Sequence, residues 1–210
     1  RGFRVAVCEQ TDDPTGNKKR GGKSLMHREV IRIVTPGTLT EETLLESKSN
    51  NYLVALIHTG ENLALAWIDI STGDFFTSTT YKNTLVNDLS RIDPRELLIE
   101  ETLYQDPELV TIVDGYTLTV LPKITDKKEK AEFLLCKTFQ VSTLEAFGEF
   151  THGEILAAGM LINYVDLTQK GKTPHLRPPE SRKTDSSLAI DTATKKNLEL
   201  MQTITGSREG

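Results

Sequence analysis

Polar and apolar positions alternate over residues 3–8, where Phe3, Val5 and Val7 interleave with Arg4, Ala6 and Cys8, and this spacing predicts a strand. Residues 27–34 predict a second strand, with Val30, Ile31, Ile33 and Val34 supplying β-branched bulk. The polar run between them, Thr11 to Lys23, contains Pro14 and three glycines and is too long for a tight hairpin, so it reads as a long loop. Thr35-Pro36-Gly37-Thr38 then breaks the pattern. Pro36 disfavours helix at Thr35 and Gly37 allows positive φ, which predicts a turn at a module boundary.

The second module is expected to open with a short helix capped by Thr40, with Glu41 and Glu42 at its positive end. Three strands follow, 51–58, 62–70 and 74–79. Their links Thr59-Gly60-Glu61 and Ser71-Thr72-Gly73 are short enough to make them antiparallel neighbours. Next come a helix at 81–91, a strand at 96–100, a short helix at 105–111 and a strand at 116–121. The pattern then turns helical over 126–137, with a small turn at 143–147 and a long helix over 151–169. Thr151 and Glu154 form a capping box at the start of that helix. Ile155, Ala158, Ile162 and Val165, widened by Leu156, Met160 and Leu161, give it an apolar face that should be substantially buried.

Three antiparallel strands followed by helix, strand, helix, strand and closing helices is the order of a ribonuclease-H-like layer fold. The fold class expected is therefore α/β: a ribonuclease-H-like mixed sheet flanked by helices, with a partial N-terminal α/β segment and a C-terminal helical segment. Lys170, Lys172, Pro174, Arg177, Pro178, Pro179, Arg182 and Lys183 predict an exposed, extended linker. Asp191 can cap a further helix at 192–203, which reads as the start of a third, helical unit.

Composition changes this picture little. The 210 residues are 26% charged and 37% apolar before 14 glycines are counted, which is ordinary for a globular chain. No apolar run is long enough for a membrane span and no leader pattern is present. Cys8 and Cys136 lie far apart in apolar segments and read as reduced core residues of a cytoplasmic protein. A start at Arg1 and an end at Gly210 suggest a piece of something longer.

Charge changes it more. The net charge of −5 hides a segregation: residues 1–34 carry eight Lys/Arg against four Asp/Glu, while residues 40–160 carry nine against twenty. Such a swing predicts modules facing different partners. The basic excess gathers at Lys18, Lys19, Arg20, Lys23 and Arg28, which are candidates for contact with a nucleic-acid backbone.

Candidate chemistry thins out under inspection. Gly171-Lys172-Thr173 imitates the tail of a phosphate-binding loop, but the position five residues before Gly171 is Asp166 and the loop leaves a helix, not a strand. A nuclease of this fold gathers carboxylates on neighbouring strands around paired Mg²⁺ ions. The first strand, 51–58, holds no Asp or Glu, and Asp69, Asp74, Glu100 and Glu101 read as turn and strand-end residues facing solvent. A divergent Mg²⁺ nuclease using Asp69, Asp74, Glu100 or Glu101 is the alternative reading. His27, His58, His152 and His175 have no metal-ligand spacing with the cysteines or each other. Trp67, in mid-strand, reads as a core residue.

Six runs taken in order carry a resemblance: RVAVCEQ (4–10), REVIRIVTPGT (28–38), NNYLVAL (50–56), LAWIDISTGDF (65–75), TQKGKTPHLRPP (168–179) and IDTATKKNLEL (190–200). Together they resemble the bacterial MutS family of DNA mismatch repair proteins. The resemblance implies that residues 1–38 end a mismatch-recognition domain and 39–169 form a ribonuclease-H-like connector. It likewise makes 170–184 a linker and 185–210 the start of a helical core and lever region. It implies a fragment that is not itself an enzyme, with no catalytic, cofactor or metal residue of its own. The full-length protein would be a homodimeric, DNA-dependent ATPase that uses ATP and Mg²⁺ outside this chain, binds mismatched duplex DNA and docks a MutL-type protein. The family's Phe-x-Glu wedge is not matched, because Phe3 is followed by Arg4 and Val5.

Overall fold

The computed structural model describes residues 3–10, 28–39, 50–60, 62–123, 128–170 and 174–182. The loop over 11–23, the helix expected after Thr40, the Gly171-Lys172-Thr173 run and the helix at 192–203 lie outside them. In chain order the elements are β1 (Val5–Gln10), β2 (Arg28–Val34), β3 (Tyr52–Thr59), β4 (Asn62–Asp69), β5 (Asp74–Thr80), α1 (Lys82–Ile92) and β6 (Glu96–Glu100). Then follow α2 (Glu101–Tyr104), α3 (Pro107–Val113), β7 (Leu118–Leu121), α4 (Lys128–Phe139), α5 (His152–Gln169) and β8 (Glu180–Ser181). The mixed α/β class expected from the pattern is what the chain adopts.

Six of these strands form one sheet in the order β7-β6-β3-β4-β5-β8. β3, β4 and β5 are antiparallel neighbours, as their short links require, while β6 pairs parallel to β3 and β7 parallel to β6. Strand alternation divides the core between two faces. Leu53, Ala55, Ile57, Ala66, Ile68 and Leu98 meet α4 and α5 on one side. Val54, Leu56, Leu65, Trp67, Leu97 and Ile99 meet α1, α2 and α3 on the other. With both faces covered, β3, β4 and β6 are buried almost throughout, which explains their near-continuous apolar runs. Trp67 is a core residue as expected, packed against Phe76 with ring centroids 5.7 Å apart.

The capping box of α5 forms as the sequence predicts. The Glu154 amide donates to Thr151 Oγ1 at 3.3 Å, and the Thr151 amide to Glu154 Oε2 at 2.8 Å. Ile155, Ala158, Ile162 and Val165 are all buried. Burying a side chain of the size of Ile162 or Val165 contributes roughly 1.5–3 kcal/mol. Gly153 sets how close this helix comes to the sheet: a Cβ there would lie 2.8 Å from the Ala64 Cβ.

β1 and β2 form a separate two-stranded antiparallel sheet with a register shift between Val7 and Cys8. A lone hairpin offers its residues little cover. Cys8 is accordingly exposed and not the core residue that its apolar neighbours suggested, whereas Cys136, on α4, is half-buried and packs against the core beside α5; both are free, as expected.

The expected linker is extended and mostly exposed, with Arg177, Pro178 and Arg182 on the surface and Lys172 and Lys183 outside the described residues, but it is not detached from the fold. Residues 174–182 run along the β5 edge as a strap, with Leu176 and Pro179 buried and β8 paired in parallel to Phe76 and Thr77 of β5. The Arg177 amide donates to the Gly73 carbonyl and the Arg182 amide to the Thr77 carbonyl, each at 2.7 Å. The prolines make the segment extended, and an extended chain beside an open sheet edge satisfies its donors by pairing. No helix among the described residues is long and apolar enough to cross a membrane.

Candidate functional site

Among the described residues five acidic side chains are buried: Asp69, Asp88, Glu96, Glu100 and Glu154. A buried carboxylate is costly unless hydrogen-bonded. Asp69, Asp88, Glu96 and Glu154 each accept a short bond from a nearby hydroxyl, and Thr102 Oγ1 lies at 3.4 Å from Glu100. Two of the five gather distant parts of the chain.

Glu96, at the first position of β6, is 1% exposed. One of its oxygens accepts from Thr35 Oγ1 at 2.5 Å and from the Gly37 amide at 3.0 Å; the other accepts from Thr119 Oγ1 at 2.6 Å and the Tyr164 hydroxyl at 2.7 Å. Thr119 in turn accepts from an Arg4 guanidinium nitrogen at 2.8 Å. This one carboxylate therefore bonds the turn after β2, the strand β7 and the helix α5, and reaches the start of the hairpin through Thr119. Burial, and then the charge of Glu96, push the Tyr164 phenol up to about 12.

Gly37 sits against this site. It does not adopt the positive φ its position in the turn suggested; it is glycine because a Cβ would fall 2.7 Å from Leu53 Cδ1 and 2.9 Å from Glu96 Cβ. The turn is a buried 3-10 segment, Pro36–Thr38, pressed onto the sheet.

Glu154 is 2% exposed and does at the outgoing end what Glu96 does at the incoming one. One oxygen accepts from Thr77 Oγ1 of β5 at 2.9 Å and from Ser181 Oγ of β8 at 2.6 Å, while the other caps α5 through Thr151. On the other face of the sheet the Arg182 guanidinium lies 3.6 Å over the Phe76 ring, and Arg177 pairs with Asp74 at 2.7 Å on the surface.

The four carboxylates of the nuclease alternative do not converge. Asp69 is opposite Tyr52 at the start of β3, whereas Glu100 follows Ile99, which is opposite Leu56. With about 3.3 Å per residue along a strand, the two lie at opposite ends of the sheet. Asp69 also does not face solvent: it accepts from the Asn51 amide at 2.9 Å, the Ser71 amide at 2.9 Å and the Ser71 hydroxyl at 2.6 Å. Glu100 is buried as well, so the solvent-facing reading holds for Glu101 but not for Asp69 or Glu100, and Asp74 is only partly exposed. Among the described residues no group of three or more His, Cys, Asp or Glu is placed to hold a metal ion.

Of the candidate backbone contacts, Lys18, Lys19, Arg20 and Lys23 lie outside the described residues. Arg28 opens β2, exposed and opposite Gln10. Glu96 and Glu154 were not singled out as a site by sequence, although the Glu154 capping box was legible. The signal for Glu96 was weak: an acidic residue opening the strongly apolar run Leu97-Leu98-Ile99.

Fold and junctions together define an α/β unit whose buried carboxylates fasten the chain that enters it and the chain that leaves it. Family models described as MutS domain I and MutS domain II match residues 1–43 and 51–177. DNA mismatch repair protein MutS of Cereibacter sphaeroides is 47% identical over 211 residues, covering 100% of this chain. The MutS of Ruegeria pomeroyi is 46% identical over 213 residues and that of Nitrobacter winogradskyi 44% over 215, each again covering 100% of this chain. The chain belongs to the MutS family of DNA mismatch repair proteins. It spans 24% of the length of these curated relatives.

Proposed function

We propose that the chain is a non-catalytic connector portion of a MutS-type protein, which relays mismatch recognition and nucleotide state and docks a MutL-type partner. On this reading residues 1–38 close a mismatch-recognition domain, 39–169 form a ribonuclease-H-like connector, 170–184 link onward and 185–210 begin a helical core. The strand order β5-β4-β3-β6-β7, antiparallel and then parallel, supports the ribonuclease-H-like reading. The whole protein would be a cytoplasmic homodimer that holds mismatched duplex DNA and hydrolyses ATP with Mg²⁺ in a part of the molecule other than this chain. Among the described residues no three His, Cys, Asp or Glu side chains are grouped to hold a metal ion.

The observation that carries the reading is the use made of the buried carboxylates. They bind segments of the chain to one another, which is what a connector needs and what a metal-dependent active site forbids. The docking surface is drawn from the acidic excess of residues 40–160, less the buried members of that set.

Calorimetric titration of the 210-residue chain with a purified MutL-type protein, at low and moderate salt with nucleotide present, tests the docking. Saturable binding that weakens with salt is expected. Absence of binding at both salt concentrations overturns docking by this unit alone. Cleavage of labelled nucleic acid with Mg²⁺ or Mn²⁺ that is lost in Asp69→Asn would overturn the non-catalytic reading.

A further inference from the structure

We infer that α5 couples the two attachments of the connector, so that loosening the incoming segment at Glu96 loosens the outgoing strap at Glu154, and the reverse. The inference rests on the relay reading above and assigns it a physical element.

Both attachments end on this one helix. Tyr164 of α5 donates to Glu96, which holds Thr35 and Gly37 of the incoming turn. Glu154 of α5 holds Ser181 of the outgoing strap and Thr77 of the strand beside it. Ten residues of helix separate the two side chains, about 15 Å at ~1.5 Å per residue.

The helix between them has little freedom to absorb a displacement. Ala157, Ala158, Leu161, Ile162 and Val165 are 2% exposed or less. Its contacts are close on two sides: a Cβ on Gly153 would lie 2.8 Å from Ala64 Cβ, and one on Gly159 would lie 2.7 Å from Ala131 Cβ. A helix packed this tightly moves as a body or not at all. The bonds at its two ends are short, 2.7 Å from Tyr164 and 2.6 Å from Ser181, and charge-assisted bonds of this kind weaken steeply as their geometry is lost. A shift of α5 permitted at one junction therefore misaligns the other.

Amide hydrogen exchange on the 210-residue chain reads both junctions at once. The Thr38 amide, bonded to the Thr35 carbonyl, and the Gly37 amide, bonded to Glu96, report the incoming turn. The Arg182 and Arg177 amides, bonded to Thr77 and Gly73, report the strap. Leu65 and Ala66 of β4 report global opening. In Tyr164→Phe we expect exchange at Arg182 and Arg177 to rise about tenfold or more along with that at Thr38, with Leu65 and Ala66 changing less. In Ser181→Ala, at a half-buried site, we expect the reverse effect, on Thr38 and Gly37.

Acceleration confined in each variant to its own junction would overturn the coupling, and so would equal acceleration at all reporters, which is plain destabilisation. Loss of MutL-type binding leaves these exchange rates untouched, so a failure of docking and a failure of coupling are read separately. Should Tyr164→Phe not fold, Ser181→Ala decides alone: an unchanged turn overturns the proposal.

Discussion

Tyr164 and Glu96, 68 residues apart, meet at 2.7 Å where α5 crosses the first residue of β6. The hydroxyl contributes the fourth donor to a carboxylate sealed from solvent. This pairing fastens the helix layer to the sheet at the place where the incoming chain is also fastened. Neither partner has a sequence neighbour that announces it.

The phenol makes the junction sensitive to alkali. Its ordinary value is 10.0 and burial beside Glu96 raises it to about 12. Because the folded value is the higher one, the stabilisation is complete below pH 10. It is lost as pH rises from there through about 12, where unfolding lets the phenol ionise. We expect the midpoint of thermal unfolding to fall across that window more steeply in the parent than in Tyr164→Phe. Equal slopes would show that Tyr164 ionises freely in the fold.

Removing the acceptor is costlier than removing one donor. Glu96→Ala leaves the hydroxyls of Thr35, Thr119 and Tyr164 and the Gly37 amide facing one another in the core. Each buried donor left without a partner costs about 1–3 kcal/mol, reduced where the hydroxyls bond one another. Urea unfolding followed by the fluorescence of Trp67, the single tryptophan, measures the loss. A change below about 1 kcal/mol would mean that the network contributes little net stability.

The strap depends on Gly73. It holds φ +79 at the turn before β5, and a Cβ there would stand 2.8 Å from the His175 carbonyl oxygen. Gly73→Ala is expected to destabilise by about 1–3 kcal/mol through backbone strain. Part of that change should appear as faster proteolysis within 174–182. An unaltered proteolytic pattern would show that the strap accommodates the methyl group.

Backbone contact by the basic run is tested in the full-length protein. Replacing Lys18, Lys19 and Arg20 by Ala should weaken duplex binding for matched and mismatched DNA alike. The slope of log affinity against log salt should flatten by about 2–3 if all three neutralise phosphates. An unchanged slope would leave the three residues solvated.

Much of the architecture was legible along the chain because it rests on local signals. The three antiparallel strands followed from runs of apolar residues joined by turns too short for anything else. The start of α5 followed from Thr151 and Glu154, two residues three positions apart that satisfy each other's backbone donors. Family membership was legible for a different reason: six runs kept in order across the chain carry more information than any one of them.

The junctions were not legible, because their partners come from separate elements. Thr35, Glu96, Thr119 and Tyr164 share no periodicity, and only sheet order and the position of α5 bring them together. The same cause misplaced several residues. Asp69 and Glu100 looked like surface carboxylates until the layers closed over them, and Cys8 looked buried until its hairpin was left with little cover. The prolines of 174–182 do specify an extended chain, but whether such a chain stands in water or lies along β5 depends on an open sheet edge nearby. Sequence determined the elements and the family through short-range pattern. Tertiary structure decided which polar groups are buried and what they hold, because burial is set by what packs on top of a residue and not by its neighbours along the chain.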